Sequence, residues 1–151
     1  MTFSFLIRRR MVENSPQQVV WPPSLRKYER QIKVKAKETG GSSSHGEARQ
    51  HGSEIWIFPK FWTHTADIQR WIFTHEVGHW VLDKFGLQRM IDLAGTMGID
   101  PWDTSSLPYG QFNSHEAFAD SFAAYHLEKA ELRQRYPAWL RLVDAVIKAV
   151  G

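Results

Sequence analysis

The sequence contains no cysteine among its 151 residues. That excludes disulfides, thiolate metal sites and a cysteine nucleophile, and it leaves the redox compartment open. It also lacks any apolar run near the roughly 18 residues that a membrane-spanning helix needs, so no membrane span is expected. The opening MTFSFLIRRRM sets its short apolar patch before the arginines, the reverse of a secretory signal. The chain is therefore expected to stay inside, to leave by another route, or to be a piece of a longer one. Neither an internal repeat nor a composition shift marks a second domain, and residues 1–151 read as one domain large enough for a sizeable core.

Of what is present, the apolar fraction of 42% and the charged fraction of 23% describe an ordinary globular chain. Seven tryptophans and nine phenylalanines are many for this length, and core packing is their usual role. The net charge of +3 conceals an asymmetry. Residues 1–37 carry nine Lys/Arg against Glu13 and Glu29, a net +7, while the remainder is net −4. A basic third beside an acidic remainder can attract nucleic acid or a phospholipid surface. No nucleic-acid motif accompanies it, so a solvated basic face is the expectation, with no nucleic-acid partner.

Pro16, Pro22 and Pro23 argue against a long helix in residues 1–23, which read as an irregular arm. Ser24 is placed to cap a short helix, SLRKYERQ. QIKVKAK alternates apolar and basic residues, the period-2 pattern of a half-exposed strand. ETGGSSSHGEARQHG reads as a loop, and SEIWIFP as a second strand stopped by Pro59, the two strands pairing as a hairpin. A helical pattern runs from Thr65 to Phe85, with Ile68, Trp71, Ile72, His75, His79 and Leu82 on one stripe, Thr65 as cap and Gly86 as stop. LQRMIDLAGTMG suggests a short helix and DPWDTSSLPYG a loop. A strong helix is expected from Ser114 to Arg133, capped by Asn113 or Ser114. Pro137 opens a last amphipathic helix with Leu140, Val143, Ile147 and Val150 on one face.

The chemistry concentrates in THEVGHW, residues 74–80. His75 and His79, four apart on a helix, project from one face a turn apart, so both imidazoles can reach one ion at the roughly 2.0–2.1 Å that zinc requires. Glu76, one step round, is too displaced to share the ion easily but can hold a water beside it as general base. Gly78 costs roughly 1 kcal/mol in a helix, and its missing side chain lets other backbone pack close beside the ligands. With this composition, about 0.02 accidental H-E-x-x-H matches are expected before helical context is required.

Catalytic zinc usually takes three protein ligands and a water. A histidine six residues beyond the second is absent, since Phe85 stands there. NSHEAFADSF offers the better candidate: Glu116 for the metal, with Asp120 one turn later to accept from a ligand histidine's other nitrogen and fix its tautomer. His115 points about 100° away from Glu116 round the helix, which argues against ligation. His45, His51, His64 and His126 carry no assigned role.

HEVGH followed by EAFAD resembles the gluzincin metallopeptidases, whose third ligand is a glutamate on a downstream helix. More narrowly, HEVGH, then Tyr109, then Glu116 is similar to the catalytic domain of anthrax lethal factor and its relatives, the Pro-Pro endopeptidases among them, over roughly residues 54–126. The resemblance implies an α+β, zincin-like fold: a small sheet with an edge strand packed on an active-site helix, then a glutamate-bearing helix and a C-terminal helix. It implies a zinc endopeptidase with SEIWIFP as the edge strand that pairs with an extended protein or peptide substrate, and Tyr109 donating to the developing oxyanion. Delivery within a toxin or phage system accords with it.

Glu116, Ala119, Asp120, Phe122 and Ala123 also resemble the pattern of the immunity-repressor proteases of mobile elements, an alternative in which the substrate is a repressor. DTSSLPYG is faintly similar to the aspartate zincins, in which Asp103 would be the third ligand, but their Gly-Thr pair is missing. A further alternative is a non-catalytic zinc-binding interaction module.

Overall fold

Thr65 and Gly86 bracket the longest helix. The computed structural model of the protein describes residues 18–41, 47–103 and 105–151, and within them α1 spans Ala66–Phe85. The Thr65 hydroxyl accepts from the Ile68 N–H at 3.4 Å, satisfying one orphan donor of the first turn. Gly86, at φ 103°, adopts a conformation that side chains resist, and its N–H closes on the Leu82 carbonyl at 2.8 Å. Both ends fall where the sequence put them, but the buried face does not. Phe73, Val77, Trp80 and Val81 make it, whereas Ile68 is exposed and Trp71, Ile72, His75 and His79 are half-buried. The stripe through the histidines is the side that borders a cavity, and of its members only Leu82 is buried in the core.

Strands β1 (Lys33–Ala36), β2 (Ala48–His51) and β3 (Glu54–Ile57) form one sheet in the order β1-β3-β2. β1 runs parallel to β3, and β2 antiparallel to it. This corrects the sequence reading three times. The segment from Glu38 to Gly52 is not loop throughout, because β2 lies in its second half. The hairpin is β2–β3, turned at Gly52 (φ 61°) and Ser53, and not β1 with β3. SEIWIFP is the central strand, which leaves β2 as the edge beside α1. The reason is burial: Ile55 and Ile57, both fully buried, face α1, while Trp56 on the opposite face is flanked by residues of both neighbouring strands.

Before the sheet, Pro23–Tyr28 forms a 3-10 turn, shorter than the expected helix, that buries Leu25 and Tyr28. Residues 1–17 of the expected arm lie outside the described residues. After α1 come α2 (Leu87–Thr96), α3 (Ser114–Leu127), α4 (Lys129–Arg135) and α5 (Pro137–Val150). Asn113 is the cap of α3, its side chain accepting from the Glu116 N–H at 2.8 Å. The helix expected to continue to Arg133 breaks at Glu128 (φ −145°, ψ 51°), which redirects the chain so that Leu132 is fully buried. In α5, Val143 and Ile147 are buried as expected, with Trp139, Leu142 and Val146, while Leu140 and Val150 are half-buried.

The architecture is α+β: the sheet lies on α1, and α1 packs against α3 and α5. At Gly78, α1 packs directly on the backbone of α3. A Cβ there would lie 3.0 Å from Phe122 Cβ and 3.1 Å from Ala119 Cα. A side chain there would have to push α3 away by a few tenths of an ångström. Among the described residues no helix is long and apolar enough to cross a membrane.

Candidate metal centre

The α1–α3 contact at Gly78 sets the ligand candidates of both helices face to face. His75 Nε2 lies 3.0 Å from Glu116 Oε2, His79 Nε2 lies 3.0 Å from Glu116 Oε1, and the two imidazole Nε2 atoms are 3.1 Å apart. One ligand atom from each of the three residues falls within 4.8 Å of the others. Tetrahedral zinc with bonds near 2.0–2.1 Å separates its ligand atoms by roughly 3.3 Å. The donors therefore stand close to the spacing a zinc ion needs, and two imidazoles with one carboxylate are a donor set that suits it.

Asp120 Oδ1 accepts from His75 Nδ1 at 2.7 Å. Donation from Nδ1 leaves the Nε2 lone pair directed at the cluster, the tautomer a metal ligand requires. Asp120 is itself held through Oδ2 by the Gln111 side-chain amide at 2.5 Å. Burial disfavours charge on His75, but its hydrogen bonds to Asp120 and Glu116 outweigh it and raise its pKa to about 10, so an ion bound at Nε2 would displace the proton that Nε2 shares with Glu116. The same pairing with His75 and His79 holds Glu116 well below the usual carboxylate range.

Glu76 is buried, and its two oxygens have different surroundings. Oε1 accepts from the Gln50 backbone N–H at 2.6 Å, whereas Oε2 lies 3.7 Å from His75 Nε2, on the cluster side. Gln50 sits on the edge strand β2, and its side chain donates to Asp83 of α1 at 2.8 Å and to the Gly52 carbonyl at 2.7 Å. Strand and helix are thus pinned on both sides of the carboxylate. Burial pushes the Glu76 carboxyl up, against the pull of His75 and His79.

A cavity of about 430 Å³ opens over the cluster, lined by residues 48–50 of β2 and by His75, Glu76, His79, His115 and Glu116. All of the predicted ligands meet there, with Glu76, and Asp120 stands behind His75. Tyr109 is not brought to the cavity. Its ring packs edge-on against Trp71 (6.0 Å) and tilted against Tyr136 (5.2 Å), with its backbone held at φ 60°. Its hydroxyl is buried, and burial together with nearby Glu131 pushes its pKa up to about 12. The tyrosine spacing matched a resemblance, but the backbone turn aims the side chain at α4 and α5. Asp103 likewise stays apart, its carboxylate accepting from the Ser105 N–H and hydroxyl.

Three contributors escaped sequence reasoning: Gln50, Gln111 and His115. Gln50 lay in a presumed loop, and Gln111 acts only through Asp120. The His115 ring lies 6.4 Å from that of His79 on the cavity wall; its neighbour Glu116 was the available signal. Comparison with protein-family models, with curated proteins and with solved structures gave no match.

Proposed function

We propose that the chain is a zinc-dependent endopeptidase of the gluzincin type with a zincin-like fold. The observation that carries this reading is the asymmetric seating of Glu76: one oxygen anchored to the edge strand, the other free beside two imidazoles and a carboxylate at ligand spacing. A purely structural metal site has no use for a further buried carboxylate poised in this way.

His75, His79 and Glu116 would hold the ion. Zinc bound there would lower the pKa of a water and polarise the scissile carbonyl. The protein's own part begins with Glu76 Oε2, which takes a proton from the attacking water and delivers it to the leaving amine. Gln50 N–H keeps that carboxylate from rotating between the two transfers. Asp120 holds the His75 ring, and Gln111 holds Asp120. An extended substrate lies along the edge of β2 at residues 48–50 on the cavity wall, meeting the backbone groups other than the Gln50 N–H that Glu76 holds, in the role the sequence reading gave to SEIWIFP. With Tyr109 turned away, His115 is the side chain on that wall that donates to the carbonyl oxygen.

Peptide cleavage by wild type and by Glu76→Gln, each with its zinc content measured, tests the reading. An endopeptidase loses cutting and keeps zinc in the variant; a non-catalytic zinc module keeps zinc and never cuts. A repressor-cleaving enzyme shows itself by the identity of the cut protein.

A further inference from the structure

The face of the sheet turned away from α1 gathers basic residues from two strands around one tryptophan. Register sets Lys33 beside Glu54, Lys35 beside Trp56, Arg49 opposite Trp56 and His51 opposite Glu54. Lys37, two residues past Lys35, falls on the same face by alternation. Within the sheet this face has one carboxylate, Glu54, which is paired to Lys35 at 2.8 Å. The same alternation brings Glu47, one residue before β2, to this face as a second carboxylate, paired with His64 at 3.0 Å, so four cations against two carboxylates leave +2 on a patch three strands wide.

Trp56 stands at the centre of the patch, half-buried. The His51 ring stacks on it at 4.7 Å with 7° between planes, and the Lys37 ammonium sits 4.3 Å from the ring centroid. Its indole N–H donates to Glu54 Oε1 at 3.0 Å, which fixes the ring's orientation. Lysines alternating along β1 repeat at about 6.6 Å, a spacing that suits the phosphates of an extended strand. An aromatic ring among such cations is the stacking platform of single-strand recognition.

We propose that this face binds single-stranded nucleic acid, with Lys33, Lys37 and Arg49 meeting phosphates and a base stacking on Trp56 where Lys37 now rests. An acidic peptide would satisfy the cations but leave the tryptophan unused. The proposal does not depend on the protease reading, since the surface lies on the opposite side of the sheet from α1.

The test is fluorescence anisotropy with a labelled oligothymidylate on the full chain, against a poly-glutamate peptide and phosphatidylserine vesicles. The expected result is oligonucleotide binding that weakens with salt, with a log–log slope of about −2 to −3 for three or four phosphate contacts. Lys33→Glu with Arg49→Glu, both exposed positions, weakens it tenfold or more, and Trp56→Leu about tenfold at unchanged thermal midpoint. Because Trp56→Leu can disturb the sheet, Lys33→Gln with Arg49→Gln serves as the milder variant and flattens the salt slope by about one. No binding at low salt, binding indifferent to these variants, or equal or tighter binding of poly-glutamate or vesicles overturns the proposal.

Discussion

The backbone N–H of Gln50 donates to Glu76 Oε1 at 2.6 Å, joining the edge strand to the carboxylate beside the candidate ligands His75, His79 and Glu116. The contact belongs to the backbone and is therefore separable from the Gln50 side chain. Gln50→Pro removes the N–H at an edge position, where proline is tolerated. It is expected to lower kcat about ten- to a hundredfold, with zinc content unchanged. Gln50→Ala keeps the N–H, loses the side-chain bonds to Asp83 and to the Gly52 carbonyl, and retains most activity. Steady-state kinetics on both variants checks the contrast, and equal losses would show that the anchor does not matter.

Gly78→Ala trades a better helix former against a collision. Alanine gains roughly 1 kcal/mol of helix propensity, but its Cβ would press on Phe122 Cβ and Ala119 Cα at 3.0 and 3.1 Å. Forcing α1 from α3 costs about 1–3 kcal/mol, and it also spreads His75 and His79 from Glu116. The variant should show a lower urea midpoint and weaker zinc binding; a raised midpoint contradicts the packing.

Asp120→Asn keeps the shape but removes the carboxylate that holds His75. Zinc affinity should fall ten- to a hundredfold by chelator competition, as for other partners that orient metal-binding histidines. Unchanged affinity would show that His75 orients without it.

His126, in the last turn of α3, accepts from or donates to the Ser24 hydroxyl at 2.7 Å, and its Nε2 is buried without a partner among the described residues. Burial, with Lys27 and Lys129 nearby, lowers its pKa to about 4. The unfolded chain then binds the proton first, so stability is full above about 6.5 and falls as pH drops from there toward 4. The slope amounts to at most about 3 kcal/mol. Denaturation midpoints across this range should show it, and His126→Gln should remove most of it.

His115→Ala is expected to lower kcat more than it raises KM, about tenfold or more, without loss of zinc. A change in KM alone would make His115 a substrate contact.

Much of the site was legible because its chemistry is tied to helical spacing. His75 and His79 four apart, and Glu116 and Asp120 four apart, each fall on one helix face, and both helices carry explicit caps in Thr65 and Asn113. Gly78 was readable as a close approach because nothing local rewards a glycine there. The sheet was harder. In β2 only Ala48 enters the core, while Gln50, on the same face, is a polar anchor, so ARQH shows no apolar alternation. Once β2 was missed, β3 looked like an edge. The break at Glu128 has no proline or glycine to announce it, and the turn at Tyr109 relies on a positive φ that sequence does not mark for tyrosine.

The most direct measurement is the zinc content of the purified chain by elemental analysis after dialysis, for wild type and for Glu116→Ala. The account predicts one zinc per wild-type chain and its loss from the variant. A wild type that holds no zinc, or a variant that keeps it with full affinity, contradicts it.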